Sequence, residues 1–192
     1  ISIAVCKAGA ASRKIPLYAY INTLLKSDVK MKMPQAYFNI LNGGVHAGNT
    51  LPIQEFMISP KMKSFSENLR VGSFVYQQLR KGIVQKYGTN AIGVGDEGGL
   101  APPITNAHDA LTLITSALKK SNLVKKVDIA LDCAASEFYL KKEKKYTLGT
   151  KKYSAAQLLV YYKKLIDTFG ITSIEDPFFE ESFSDYASLL LK

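Results

Sequence analysis

Two acidic residues stand where strand-like runs stop. Asp132 closes Val127-Asp128-Ile129-Ala130-Leu131, and Glu175 closes Ile171-Thr172-Ser173-Ile174. In a barrel of alternating strands and helices, reacting groups gather at the C-terminal strand ends. Hard carboxylate oxygens on adjacent strand ends are the donors that magnesium takes. Carboxylates also favour strand-to-loop junctions and helix N-termini for structural reasons alone, so the pattern by itself leaves both readings open. Glu97 lies in Gly95-Asp96-Glu97-Gly98-Gly99, a turn with little helix or strand propensity, where a carboxylate serves as ligand, acid or plain turn residue. Glu55, beside Gln54, opens a short strand-like run and reads as a buried acid or an edge residue. His46, one of two histidines, sits among glycines in Gly43-Gly44-Val45-His46-Ala47-Gly48-Asn49. That setting makes it a candidate lid residue, although a lone loop histidine is more often incidental. His108, on the first turn of a helix, is assigned no role.

These residues need elements to hold them. Residues 1–28 read as helical and turn segments broken at Arg13-Lys14-Ile15-Pro16. A β-like run over 36–41 ends in the turn Asn42-Gly43-Gly44, and a second run over 55–58 is closed by Pro60. A long amphipathic helix follows. Ser64 and Glu67 form a capping box for it, and Phe65, Leu69, Gly72, Tyr76, Leu79 and Ile83 form its apolar face. After the glycine-rich loop and Pro102-Pro103, a helix from about Asn106 presents Leu111, Ile114 and Leu118 on one side. The strand ending at Asp132 is followed by a loop containing Tyr146 and Gly149. A helix opened by Ser154 and Gln157 then carries Leu158, Tyr162, Leu165 and Phe169, and stops at Gly170 before the strand ending at Glu175. The order is two strands, two helices, then strand and helix in alternation. The second half reads as parallel βα units, and four strands are too few to close an eight-stranded barrel.

At 192 residues, 47% hydrophobic and 21% charged, the composition is that of a soluble globular chain. No apolar run is long enough to span a bilayer as a helix, and no secretory leader is visible. Ile1 opens directly into an apolar stretch and Ser188-Leu189-Leu190-Leu191-Lys192 ends inside one, so both ends read as truncated. Cys6 and Cys133 lack metal-ligand spacing and read as reduced, buried thiols. The net charge of +9 arises largely from Lys119 to Lys126, Lys141 to Lys145 and Lys151-Lys152. These runs lack aromatic platforms and read as solvated loops and not as a nucleic-acid surface.

In order along the chain, the motifs resemble the enolase family. The matching segments are Ala4-Val5-Cys6-Lys7-Ala8-Gly9-Ala10, Pro16-Leu17-Tyr18, Phe38-Asn39-Ile40-Leu41-Asn42-Gly43-Gly44, His46-Ala47-Gly48-Asn49, Gln54-Glu55-Phe56-Met57, Gly95-Asp96-Glu97-Gly98-Gly99 with Ala101-Pro102, Leu131-Asp132-Cys133-Ala134-Ala135-Ser136-Glu137-Phe138 and Ser173-Ile174-Glu175-Asp176-Pro177-Phe178. The resemblance covers the whole chain. It implies an α/β fold in which residues 1–28 are the tail of an α+β N-terminal domain. Residues 29–192 would be the first half of a C-terminal TIM-like barrel of ββαα(βα)6 order. It further implies magnesium-dependent dehydration of 2-phosphoglycerate to phosphoenolpyruvate in glycolysis, by a cytoplasmic homodimer that requires no nucleic-acid or membrane partner.

Carried over by position, Asp132 and Glu175 resemble two of three magnesium carboxylates. Glu97 resembles the proton donor to the departing C3 hydroxyl, Glu55 its partner carboxyl at the substrate, and His46 the substrate-side histidine of a closing loop. Two carboxyls in one pocket push one pKa upward, so that a proton is held at neutral pH. Val45 stands where many members have serine, and the segment 141–153 is shorter than in many eukaryotic members, which trims a surface loop. The third magnesium carboxylate, the lysine base, the substrate-holding Arg and Lys, and a serine loop are expected outside this stretch, which alone is expected to be inactive. Two other readings compete. A different acid-processing member of the enolase superfamily is opposed by His46-Ala47-Gly48-Asn49 and the Glu55/Glu97 pair. A binding role through the basic loops predicts salt-sensitive association with nucleic acid.

Overall fold

The computed structural model describes residues 1–25 and 31–190. The chain divides into two compact units, 1–35 and 36–192. The first holds α1 (Ser2–Ser12) and α2 (Leu17–Leu24). Pro16 precedes α2 directly as its N-cap, so the break falls where the Arg13–Pro16 segment placed it. The Arg13 guanidinium lies over the Tyr20 ring, 5.2 Å from its centre. The domain boundary expected at 28/29 lies outside the described residues, as do Leu191 and Lys192.

The second unit runs β1 (Phe38–Asn42), β2 (Glu55–Pro60), α3 (Phe65–Tyr87), α4 (Ala107–Lys120), β3 (Val127–Asp132), β4 (Tyr139–Leu140), β5 (Lys145–Leu148), β6 (Lys151–Tyr153), α5 (Ala155–Phe169), β7 (Ile171–Glu175) and α6 (Phe183–Leu190). The principal sheet has the order β1-β2-β3-β7. The β1–β2 and β2–β3 pairs are antiparallel, and β3–β7 is parallel. A parallel pair needs a crossover, and α5 supplies it. The sequence-based order ββαα followed by βα units is therefore present, as an open mixed sheet and not a closed barrel.

One expectation needs correction. The segment after Asp132, read as a loop, folds into a second sheet of order β4-β5-β6. Its lysines hid the strand pattern: Lys141, Lys142, Lys144 and Lys145 are exposed, while Tyr146 in the central strand β5 is buried at 1% exposure. The Tyr146 hydroxyl accepts from Phe179 N–H at 3.0 Å, which fastens this small sheet to the segment following β7.

The apolar face of α3 is also displaced from the expected one. Phe65 and Leu69 are exposed, and the buried stripe is Asn68, Val71, Gly72, Val75, Leu79 and Ile83. The two stripes share Gly72, Leu79 and Ile83, so periodicity alone did not separate them. Ser64 caps the helix by accepting from Glu67 N–H at 3.2 Å, and its hydroxyl donates to the Glu67 carboxylate at 3.1 Å. The reciprocal capping box occurs instead at α5, between Ser154 and Gln157.

Between sheet and helices, Ile40, Phe56, Ile58, Ile129 and Leu131 pack with Leu79 and Ile83 of α3, Leu111 and Ile114 of α4, and Leu158 and Tyr162 of α5. Each such side chain contributes roughly 1.5–3 kcal/mol on burial. That core holds the strand ends in register. Cys133 is buried within it and its thiol is pushed up to about 12 by burial, whereas the free thiol of Cys6 is only partly buried.

Candidate active site

The strand ends form a row. Asn42 is the register partner of Glu55, Glu55 of Asp132, and Asp132 of Glu175. Asn42, Asp132 and Glu175 are the last residues of their strands, while Glu55 is the first of its own. Because β2 runs opposite to its neighbours, its beginning arrives at the rim where they finish. Three carboxylates distant in sequence thus occupy neighbouring positions on one sheet edge.

Glu97 reaches the row from a loop strapped to β1. Asn42 N–H donates to Leu100 O at 2.9 Å and Leu100 N–H to Ile40 O at 3.1 Å. Gly95 N–H donates to Gly99 O at 2.8 Å and Gly98 N–H to Gly95 O at 3.0 Å, closing the turn. The Tyr76 hydroxyl donates to Gly98 O at 3.0 Å. Within this frame the Asn39 and Asn42 Nδ2 atoms each donate to Glu97 Oε2 at 3.2 Å. Asn42 Oδ1 accepts from Gly99 N–H at 2.8 Å. Gly99 must be glycine, since a Cβ there would strike Asn42 Oδ1 and stand 2.9 Å from Asn39 Oδ1.

The electrostatics follow from this crowding. The Glu55 carboxyl is pushed up to about 8. Burial is the main cause, followed by its hydrogen bond with Glu97 and repulsion from Glu97, Asp132 and Glu175. The upward pressure expected within the Glu55/Glu97 pair thus falls on Glu55. Asp132 is also raised, first by burial, with repulsion from Glu175, Asp176 and Glu97 added and the Ala134 N–H opposing. That N–H meets Asp132 Oδ1 at 2.9 Å. Beyond the strand ends the backbone turns sharply, with φ 43° at Ala134 and 42° at Asp176. The turns interlock: Cys133 N–H donates to Glu175 O at 2.9 Å and Ala135 N–H to Asp176 O at 3.0 Å.

His46 closes a short 3-10 turn, Gly44–His46, directly after the β1 end. Its loop is pinned at both feet, by Gly43 N–H to Gln54 O at 2.8 Å and Gly44 N–H to Leu51 O at 2.7 Å. A Cβ on Gly43 would collide with the Ile53 carbonyl, so the close return of the loop requires glycine there. Asn49 Nδ2 donates to Asn42 O at 3.0 Å and Pro102 O at 3.1 Å. His108 lies elsewhere, its ring edge-on to Phe169 at 5.1 Å.

The structure therefore brings Glu55, Glu97, Asp132 and Glu175 together and sets the His46 backbone on the adjoining loop. Sequence reasoning missed Asn39 and Asn42. Asn42-Gly43-Gly44 reads as turn chemistry, which masks that Asn42 is a fully buried strand residue. The signal available was two asparagines flanking an apolar pair just before a loop that precedes an acid.

Two mutually repelling carboxylates of hard oxygen character, Asp132 and Glu175, suit a divalent cation such as magnesium. Among the described residues no group of three His, Cys, Asp or Glu side chains is placed to hold a metal.

A mixed α/β sheet of ββααβαβα order, with acids at successive strand ends, defines the class, and the comparisons with known proteins agree. Residues 30–192 match the family model described as enolase, C-terminal TIM barrel domain. The chain belongs to the enolase family. It is 50% identical over 190 residues to the enolase of Methanocaldococcus jannaschii, covering 98% of this chain and 44% of that protein. It is 46% identical over 190 residues to the enolase of Methanococcus aeolicus, with the same coverage of 98% and 44%. The chain thus spans less than half the length of these curated relatives.

Proposed function

We propose that this chain is the acid- and metal-bearing part of a carbon–oxygen lyase that dehydrates 2-phosphoglycerate to phosphoenolpyruvate. The observation that carries the reading is the Glu55–Glu97 carboxyl pair lying beside the Asp132–Glu175 pair on one sheet rim. The first pair holds a proton near neutral pH, and the second supplies hard donors.

In the elimination the C2 proton leaves, the C2=C3 double bond forms, and the C3–O bond breaks. Glu97 gives the departing hydroxyl a proton, and it leaves as water. Glu55 shares the proton reserve through its hydrogen bond with Glu97 and lies on the substrate side. Asp132 and Glu175 hold the divalent cation, magnesium in this reading, together with a third carboxylate from beyond this stretch. When bound, magnesium supplies positive charge against the negative charge that develops on the substrate carboxylate as the C2 proton leaves. His46 stands on the loop positioned to cover bound substrate. A lysine outside this stretch takes the C2 proton, one of the two kinds of base, Lys or His, that enolase-superfamily sites use.

The same resemblance supports residues 1–28 as the end of an N-terminal domain and residues 29–192 as the first half of a barrel. It also supports a cytoplasmic homodimer as the working form. The basic runs do not favour a separate nucleic-acid role: Lys152 Nζ pairs with the Glu143 carboxylate at 2.7 Å, and Lys141 Nζ lies over the Phe179 ring at 5.1 Å.

The test is a protein of the relatives' full length that contains this chain. With magnesium and 2-phosphoglycerate it should form phosphoenolpyruvate, and chelation should stop it. Absence of turnover in a folded, magnesium-supplied preparation would overturn the reading.

A further inference from the structure

Asn42 is fully buried, yet every polar atom of its side chain is engaged. Its Nδ2 donates to Glu97 Oε2 at 3.2 Å and to Gln54 O at 3.3 Å, and its Oδ1 accepts from Gly99 N–H at 2.8 Å. These contacts agree on one orientation of the amide, because reversing it would set oxygen against oxygen and N–H against N–H. Its backbone serves two loops as well. Asn42 N–H pairs with Leu100 O, and Asn42 O receives Asn49 Nδ2 from the loop of His46.

Asn39 adds a second donor to the same Glu97 oxygen, and its own Oδ1 is buried without a hydrogen-bond partner. A buried orphan acceptor is destabilising. Stability alone therefore does not account for an asparagine here, whereas a donor aimed at Glu97 does.

We propose that Asn42, with Asn39, is a positioning residue for the proton donor: the two amides grip one oxygen of Glu97 and fix its carboxyl plane toward Glu55. This rests on the dehydration reading above. A carboxyl free to rotate on a glycine-rich turn would meet the leaving hydroxyl in few of its conformations, and misplacement of about 1 Å costs about 10²-fold. Gly99 belongs to the same device, since any Cβ there enters the space that the two asparagine oxygens occupy.

The experiment uses the full-length protein and three variants, Asn42→Asp, Asn39→Ala and Glu97→Gln, alone and combined. Asn42→Asp keeps the acceptor for Gly99 and replaces the donor to Glu97. Asn39→Ala removes a donor to Glu97 together with an amide oxygen that has no hydrogen-bond partner of its own, so it keeps the fold should Asn42→Asp lose it. Phosphoenolpyruvate formation should fall about 10²-fold in Asn42→Asp and by a smaller factor in Asn39→Ala, with exchange of the C2 proton into deuterated solvent largely retained. In the Glu97→Gln background neither change should cause further loss, because both act through Glu97. A parent that does not dehydrate 2-phosphoglycerate overturns the proposed function and this inference with it. An active parent overturns this inference alone if both asparagine variants dehydrate normally, lose exchange and dehydration equally, or add their full losses to Glu97→Gln.

Discussion

Glu55 and Asp132 face each other as register partners across antiparallel strands, the first opening β2 and the second closing β3. The pairing places an acid that gains from holding a proton next to one suited to holding a cation. Their roles separate through what each touches next: Glu97 for Glu55, and Glu175 for Asp132.

If Asp132 and Glu175 hold the cation as proposed, removing either should weaken metal binding and lose activity together. Asp132→Ala and Glu175→Ala, in the full-length protein, are expected to weaken magnesium binding in a calorimetric titration and to lose turnover. Parental affinity and rate in either variant would rule out its assignment as a ligand.

The Glu55 carboxyl, shifted from about 4.5 to about 8, has a definite sign of pH dependence. Its folded form keeps a proton that the unfolded chain releases. The stabilisation is complete below the unfolded value and drains away as pH rises through the window to about 8. Carbon-detected NMR of the metal-free protein should show one glutamate titrating near the top of that window, absent in Glu55→Gln. Saturating magnesium should lower the value, because a cation between Asp132 and Glu175 offsets their repulsion. A Glu55 that titrates in the ordinary carboxylate range without metal would contradict the crowding described here.

If Glu97 delivers the proton to the leaving hydroxyl, its loss should divide the reaction in two. Glu97→Gln should lower phosphoenolpyruvate formation by about 10²–10⁴-fold, the usual worth of a general acid. Deuterium incorporation at C2 should suffer less, since base and cation donors are untouched. Equal loss of both would mean that Glu97 serves the first step.

The sheet register depends on the core beneath it. Leu79→Ala, at a site only 1% exposed between α3 and the sheet, should destabilise the fold by about 2–5 kcal/mol in denaturant titration. Phe65→Ala, exposed on the same helix, should change stability by less than about 0.5 kcal/mol. Reversed magnitudes would restore the apolar face first expected for α3.

What could be read without coordinates was set by how local each signal is. Asp132 and Glu175 end apolar runs, so their place at strand ends was legible, and Ser154 and Gln157 announced a helix start that the structure keeps. The sheet at 139–153 was not legible, because solvent-facing lysines in short strands leave no alternation to detect. Asn42 escaped because its burial depends on Leu100 and Gly99, which lie far along the chain. The direction of β2 was equally hidden: Glu55 reads as the opening residue of its run, but nothing near it says that this end lies at the rim where β1 and β3 finish.

That direction has a consequence for the loop between β1 and β2. It leaves the rim at Asn42 and returns to it at Glu55, and these two residues are themselves paired. The segment carrying His46 is therefore an arch with both footings set in the rim that carries Glu55, Asp132 and Glu175. Lengthening or shortening the arch would alter the reach of its crown while leaving the footings where they are. Reach and foundation are thus separately adjustable, and variation in this segment need not disturb the acids at the rim.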